Sequence, residues 1–167
     1  MAKFFTPLAA VLVAAFIATA DLITKATIVE RLAYGQQIEL LPLLNIVHVI
    51  NQGAAFGLLA TAGGWQRYLF ILVAVLASIL IFRMIKKPET GSAERLGLAM
   101  ILGGAVGNLA DRAARMGVVD WIDVYAGVHH WPAFNVADIG ITVGAAMLVM
   151  CFLRGAGATS TMAQGKW

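Results

Sequence analysis

Cysteine is nearly absent from this chain of 167 residues. Cys151 stands alone, which excludes an internal disulfide framework and a thiolate metal cluster. Charge is scarce as well. Asp, Glu, Lys and Arg make up 13% of the residues, about half the share usual in a soluble domain. Hydrophobic residues make up 60%, and the mean hydropathy is +0.83. A water-soluble globule of this composition would leave much apolar surface wet, so a conventional cytosolic enzyme is excluded. The net charge of +3 arises from basic residues scattered without a stripe, which excludes a nucleic-acid partner. No internal repeat or low-complexity tract divides the chain.

What is abundant is uncharged apolar sequence. Phe4 to Ala20 runs 17 residues without a charge, and Tyr68 to Phe82, Leu96 to Ala110 and Ile139 to Leu153 run 15 each. With their flanks these reach the roughly 20 residues that cross a hydrocarbon core. The expected fold is therefore an all-α membrane protein with four transmembrane helices, at about 4–25, 65–84, 94–113 and 135–154, in one membrane-embedded domain. Lys3 and Ala18-Thr19-Ala20 also fit a cleavable signal peptide, which would leave three spans. The polar residues directly after that site favour an uncleaved anchor. Arg83, Lys86, Lys87 and Arg95 crowd the second connection and mark it as cytoplasmic, with both termini on the same side. Two segments, about 34–57 and 117–133, are rich in β-branched and glycine residues, and should form a small β-rich sheet on the outer surface. Residues 155–167 are expected to be a flexible cytoplasmic tail.

Under this topology seven of the nine acidic residues fall on the outer side or at outer helix ends. Asp21, Asp111, Asp120 and Asp138 gather near one depth, where a carboxylate is costly to ionise and so is a functional candidate. Asp21 and Lys25 are an i, i+4 pair, and Asn108, Asp111 and Arg112 share a helix face. These pairs read equally well as structural ion pairs. Asn135 and Asp138 share the first turn of the last helix. Asp123 is expected to face solvent from a strand edge, and His48, His129 and His130 show packing rather than ligand spacing. Asp120 and Asp138 have no adjacent cation in sequence. Two carboxyls in one site cannot both ionise easily, so such a pair can hold one proton and activate water without metal or cofactor.

Other readings of the same acids stand beside this one. A proton-coupled transporter would place them at the bilayer midplane in broken helices. A metal-dependent hydrolase would use Asp21, Asp111, Asp120 and Asp138 as oxygen ligands. A non-catalytic scaffold would give Asp120 and Asp138 no reason to be acids.

Five blocks occur in order: Asp21-Leu22-Ile23-Thr24-Lys25, Asn51-Gln52-Gly53-Ala54-Ala55-Phe56-Gly57, the glycine-rich stretch from Gly103 to Arg112, Val118-Val119-Asp120-Trp121-Ile122 and Phe134-Asn135-Val136-Ala137-Asp138. Together they resemble the bacterial lipoprotein signal peptidase (signal peptidase II) family over nearly the whole chain. Trp121 departs from the phenylalanine common there, and Asp123 adds a carboxyl to the same segment. The resemblance implies an aspartic endopeptidase of the bacterial inner membrane. It would remove signal peptides from diacylglyceryl-modified prolipoproteins just before the lipidated cysteine. It implies Asp120 and Asp138 as the catalytic dyad. Asp21, Lys25, Asn51, Gly53, Asn108, Asp111, Arg112 and Asn135 would be supporting residues. The outer β-rich segment would be an extracytoplasmic cradle that clamps the substrate. A monomer in contact with membrane lipids, needing no metal or cofactor, is the expected state.

Overall fold

The structure, a computed structural model, describes residues 5–53, 63–115 and 117–164, with side chains as far as Arg154. Chain order is α1 (Pro7–Arg31), β1 (Gln37–Leu41), β2 (Leu44–Asn51), α2 (Gln66–Lys86), α3 (Ser92–Ala114), β3 (Val118–Ala126), β4 (His129–His130) and α4 (Val136–Gln164). The expected elements at Phe4, Ala54 to Gly57 and 165–167 lie outside the described residues.

Local chemistry sets the helix ends. Thr6 caps α1 by accepting a hydrogen bond from Ala9 N at 3.1 Å, and Pro7 supplies the preset first turn. Lys87 leaves α2 in an extended conformation because Pro88 follows it. At the start of α3, Glu94 accepts from Gly91 N. The last helix continues through Gln164, into the stretch expected as a tail.

Among the described residues, three helices are long and apolar enough to cross a membrane: α1, α2 and α4 over Val136–Arg154. The expectation of four spans is met only to that extent. α3 differs because it packs against each of the other three helices, so fewer of its residues need to meet lipid. Small residues make that position possible. A Cβ on Gly103 would lie 2.6 Å from the carbonyl oxygen of Ala14 in α1. The fully packed core joins Ala10 and Ala14 of α1, Ile85 of α2, and Leu98, Ala99 and Leu102 of α3.

The four strands form one antiparallel sheet in the order β1-β2-β3-β4. Its register matters for the site. Val49 pairs with Asp120 and Asn51 with Val118, while Asn45 pairs with Asp123 further along. A shift between Ile46 and Val49 bulges β2 before its last residues.

Candidate active site

Asp120 and Asp138 come from different elements, β3 and α4, and meet through Asn135. The side-chain amide of Asn135 donates to Asp120 Oδ1 at 2.7 Å, and its backbone N–H donates to Asp138 Oδ2 at 3.2 Å. Asn135 is also the residue before α4, where its Oδ1 accepts from Asp138 N at 3.0 Å. A reciprocal helix cap thus fixes the residue that bridges the two acids. The outer oxygens have their own donors. Asn51, diagonal to Asp120 across the β2–β3 pair, donates to Asp120 Oδ2 at 3.0 Å. Asn108 donates to Asp138 Oδ1 at 2.9 Å.

Beneath the pair lies a buried ionic layer. Lys25 is fully buried, with Nζ 2.7 Å from Asp21 Oδ2, 2.8 Å from Asn108 Oδ1 and 3.4 Å from Asp111 Oδ2. Its ammonium therefore donates to Asn108 and lies at ion-pair distance from both carboxylates. Asp21 Oδ1 accepts from Ala137 N at 2.9 Å, holding the start of α4. Asp111 Oδ2 accepts from Val119 N at 2.9 Å, holding β3 one residue before Asp120. Gly107 is needed for this contact geometry, since a Cβ there would sit 2.5 Å from Asp21 Oδ2.

The cations are shared differently from the expectation at the helix face. Asp111 pairs with Lys25 and, at 3.1 Å, with Arg115. Arg112 instead donates to the carbonyls of Asn108 and Gly53, lies over the Phe70 ring and faces both Asp120 and Asp138 electrostatically. The i, i+4 partner of Asp111 proves to be Arg115, whereas the hydrogen bonds of Arg112 go to the Asn108 and Gly53 carbonyls. Lys25 and Arg115 thus pair with Asp21 and Asp111, while Arg112 interacts electrostatically with Asp138, Asp120 and, most weakly, Asp111. Gly53 enters through its backbone, donating to Asn51 Oδ1 at 3.0 Å and accepting from Arg112.

Burial raises the Asp120 carboxyl to about 7, and the neighbouring Asp138 carboxylate pushes in the same direction. The hydrogen bonds from Asn51 and Asn135, and the charge of Lys25, oppose that rise. Around neutral pH the pair therefore holds one proton readily. Asp120 and Asp138 line a cleft of about 1490 Å³ whose other walls are largely apolar. Phe70, Val73 and Ala74 of α2 face Ile139, Thr142 and Val143 of α4 across it. Val49 and Ile50 of the sheet, with Tyr34 and Trp131, also line it. The combination suits an extended, partly apolar ligand that meets two carboxyls at one point.

Asp123 does not face solvent. It is 6% exposed, accepts from Asn45 Nδ2 at 2.8 Å and lies 2.9 Å from His130 Nδ1. The strand register puts Asn45 directly opposite it, which closes the edge expected to be open. His48 is also buried, its Nδ1 against the Leu32 carbonyl at 2.9 Å. The four acids considered as metal ligands do not form a common donor set: Asp21 and Asp111 meet Lys25, whereas Asp120 and Asp138 meet asparagines. The sequence reading missed Arg67, whose guanidinium donates to the Arg112 and Ala113 carbonyls at the end of α3. No local spacing signals a contact between residues so far apart in the chain.

Residues 13–154 match the family model described as Signal peptidase (SPase) II. A lipoprotein signal peptidase of Paraburkholderia phymatum is 44% identical over 142 residues, covering 85% of this chain and 86% of that protein. One from Burkholderia thailandensis is 45% identical over 134 residues, covering 80% and 81%. A bacterial membrane enzyme solved by the in meso method at 2.3 Å is similar with a TM-score of 0.82 and 28% identity, over 93% of this chain and 94% of the other. A second such structure, at 1.9 Å, gives 0.78 and 29%, over 92% and 97%.

Proposed function

The chain belongs to the signal peptidase II family, and from that membership we propose how its cleft performs the family's reaction. It is a multi-pass membrane protease that removes signal peptides from prolipoproteins. In our reading it is an aspartic endopeptidase, with Asp120 and Asp138 as its catalytic groups. The observation that supports this is the bridging by Asn135, which donates to one oxygen of each acid while both acids open into the cleft.

Asp120, with its raised carboxyl, carries the shared proton, and Asp138 in the first turn of α4 is the base. A water between them gives a proton to Asp138 as its oxygen bonds to the scissile carbonyl carbon. Asp120 gives its proton to the carbonyl oxygen, forming a neutral tetrahedral diol. Asp138 then protonates the leaving nitrogen, the C–N bond breaks, and a hydroxyl proton returns to Asp120. The dyad ends as it began, with one proton. Asn51, Asn108 and Asn135 hold the two carboxyls, and Gly53 with Arg112 holds Asn51. Asp21, Lys25 and Asp111 fix the start of α4 and the strand segment before Asp120.

The substrate reading follows from the cleft. Walls from α2 and α4 are apolar, so a signal helix and the acyl chains of a diacylglyceryl-modified cysteine can enter sideways from lipid, with cleavage just before that cysteine. α3 serves as a fourth span, screened by its neighbours. Arg83, Lys86 and Lys87 lie at the far end of α2 from the cleft, which supports cytoplasmic termini and a site near the outer face of the bacterial inner membrane. The sheet acts as the outer cradle. A monomer in contact with membrane lipids is the proposed state.

The test is cleavage of a precursor with and without the diacylglyceryl group, in micelles containing a strong chelator. The proposal expects cleavage of the modified precursor alone, before its cysteine, at a rate the chelator leaves unchanged. Equal cleavage of both precursors would overturn the substrate reading, and loss of activity in chelator the aspartic one.

A further inference from the structure

A second groove lies along α2 at the end remote from the acids, lined by Ser78, Ile79, Phe82, Arg83 and Lys86, with Leu102 of α3 opposite. Its apolar part is open: Ile79 is 48% exposed and Phe82 42%. Its end is cationic, and among the described residues no carboxylate lines it. Among the described residues Arg83 and Lys86 have no ion-pair partner. Lys86 does not reach away from the helix end. Its Nζ lies 5.5 Å from the centre of the Phe82 ring, one turn back toward the apolar stretch.

One polar atom interrupts the apolar part. Ser78 Oγ is buried and has no hydrogen-bond partner. A helix hydroxyl in an apolar setting ordinarily donates to a carbonyl one turn back, as Thr24 and Thr27 do in α1. Ser78 thus keeps an unspent donor beneath the surface of the groove. Arg83 and Lys86 follow it by about 7.5 and 12 Å along the helix axis. Their side chains fold back toward the N-terminus and shorten that distance.

We infer that this groove binds one anionic glycerophospholipid. The phosphate sits between Arg83 and Lys86, and an acyl chain lies over Ile79, Phe82 and Leu102. Charge complementarity selects this occupant: a basic groove between membrane helices suits an anionic headgroup, whereas a zwitterionic one brings its own ammonium against the cations. The inference requires only that the chain sits in a membrane, so it stands or falls separately from the Asp120 and Asp138 chemistry.

The experiment uses the full chain purified in a neutral detergent, titrated with phosphatidylglycerol or phosphatidylcholine, reading the thermal midpoint and the lipid retained in native mass spectra. Phosphatidylglycerol should raise the midpoint and saturate at one retained lipid per chain, and phosphatidylcholine should do neither. Arg83→Gln and Lys86→Gln should each weaken the apparent affinity about fivefold, and the double variant about 25-fold. Arg154→Gln, a cation of α4 that does not line the groove, should leave it unchanged. The single variants carry the comparison if the double variant does not fold. Precursor cleavage in lipid-free micelles should be the same in all of them. Equal stabilisation by phosphatidylcholine, full retention of the effect in the Arg83 and Lys86 variants, or an equal loss in Arg154→Gln would overturn the inference.

Discussion

Replacing Asp120 by asparagine should make the protein more stable while removing its activity, and the gain should grow with pH. The carboxyl is raised from 3.8 to about 7, chiefly by burial. At about 1.4 kcal/mol per tenfold, ionising it in the folded chain costs about 4 kcal/mol more than in the unfolded chain. Asparagine avoids that cost. It presents one amide group where two oxygens accepted from Asn51 and Asn135, so one of those bonds is lost, at about 1–2 kcal/mol. The net gain above pH 8 is then about 2–3 kcal/mol. The sign follows from proton binding. Between pH 4 and 7 the folded state holds a proton that the unfolded state has released, so wild-type stability falls as pH rises through that window. Below pH 4 both states are protonated and the advantage of asparagine disappears. Thermal unfolding of both proteins in the same micelles, from pH 4 to 9, reads the difference directly. A separation growing to roughly 5–10 °C on the alkaline side is expected. A difference that stays flat across the range, or shrinks as pH rises, would refute the assignment of a raised, buried carboxyl to Asp120.

Other perturbations follow from the same geometry. The cleavage rate should fall about tenfold per pH unit above about 7, as Asp120 loses the proton it must donate; a rate unchanged to pH 9 in a pH–rate profile would contradict this. Lys25→Met strips the buried cation from Asp21 and Asp111, and should cost about 3–5 kcal/mol in chemical denaturation at neutral pH, with Asp111 retaining Arg115. Leu43 follows Pro42 in the β1–β2 turn with φ at +73°, in the left-handed region, and is 57% exposed. Leu43→Gly should therefore relieve strain and stabilise the chain by about 1 kcal/mol, seen as a higher midpoint in the same denaturation experiment.

Much of the site was legible in the sequence because its signals are local. Asp21 with Lys25, and Asn135 with Asp138, are helix-spaced pairs, and both are in contact. The β-branched stretches before Asn51 and after Gly117 do form paired strands. What local spacing could not supply was the choice among partners. Arg112 and Arg115 are both within reach of Asp111 along α3, and only the position of β2 and α2 draws Arg112 toward Gly53 and Phe70. Asp123 looked like an edge residue because its cover, Asn45 and His130, comes from a distant strand and from across a turn. α3 illustrates the converse. Its glycines and charged ends lower its hydropathy, and their meaning emerges only when the other helices are packed around it.

The most direct measurement is turnover of a diacylglyceryl-modified precursor by purified Asp120→Asn and Asp138→Asn, each checked for retained fold by its thermal transition. If the two carboxyls share one water and one proton, each variant should lose about 100- to 10,000-fold in rate while remaining folded. A folded variant of either kind that cleaves within a few-fold of the wild-type rate would contradict the account.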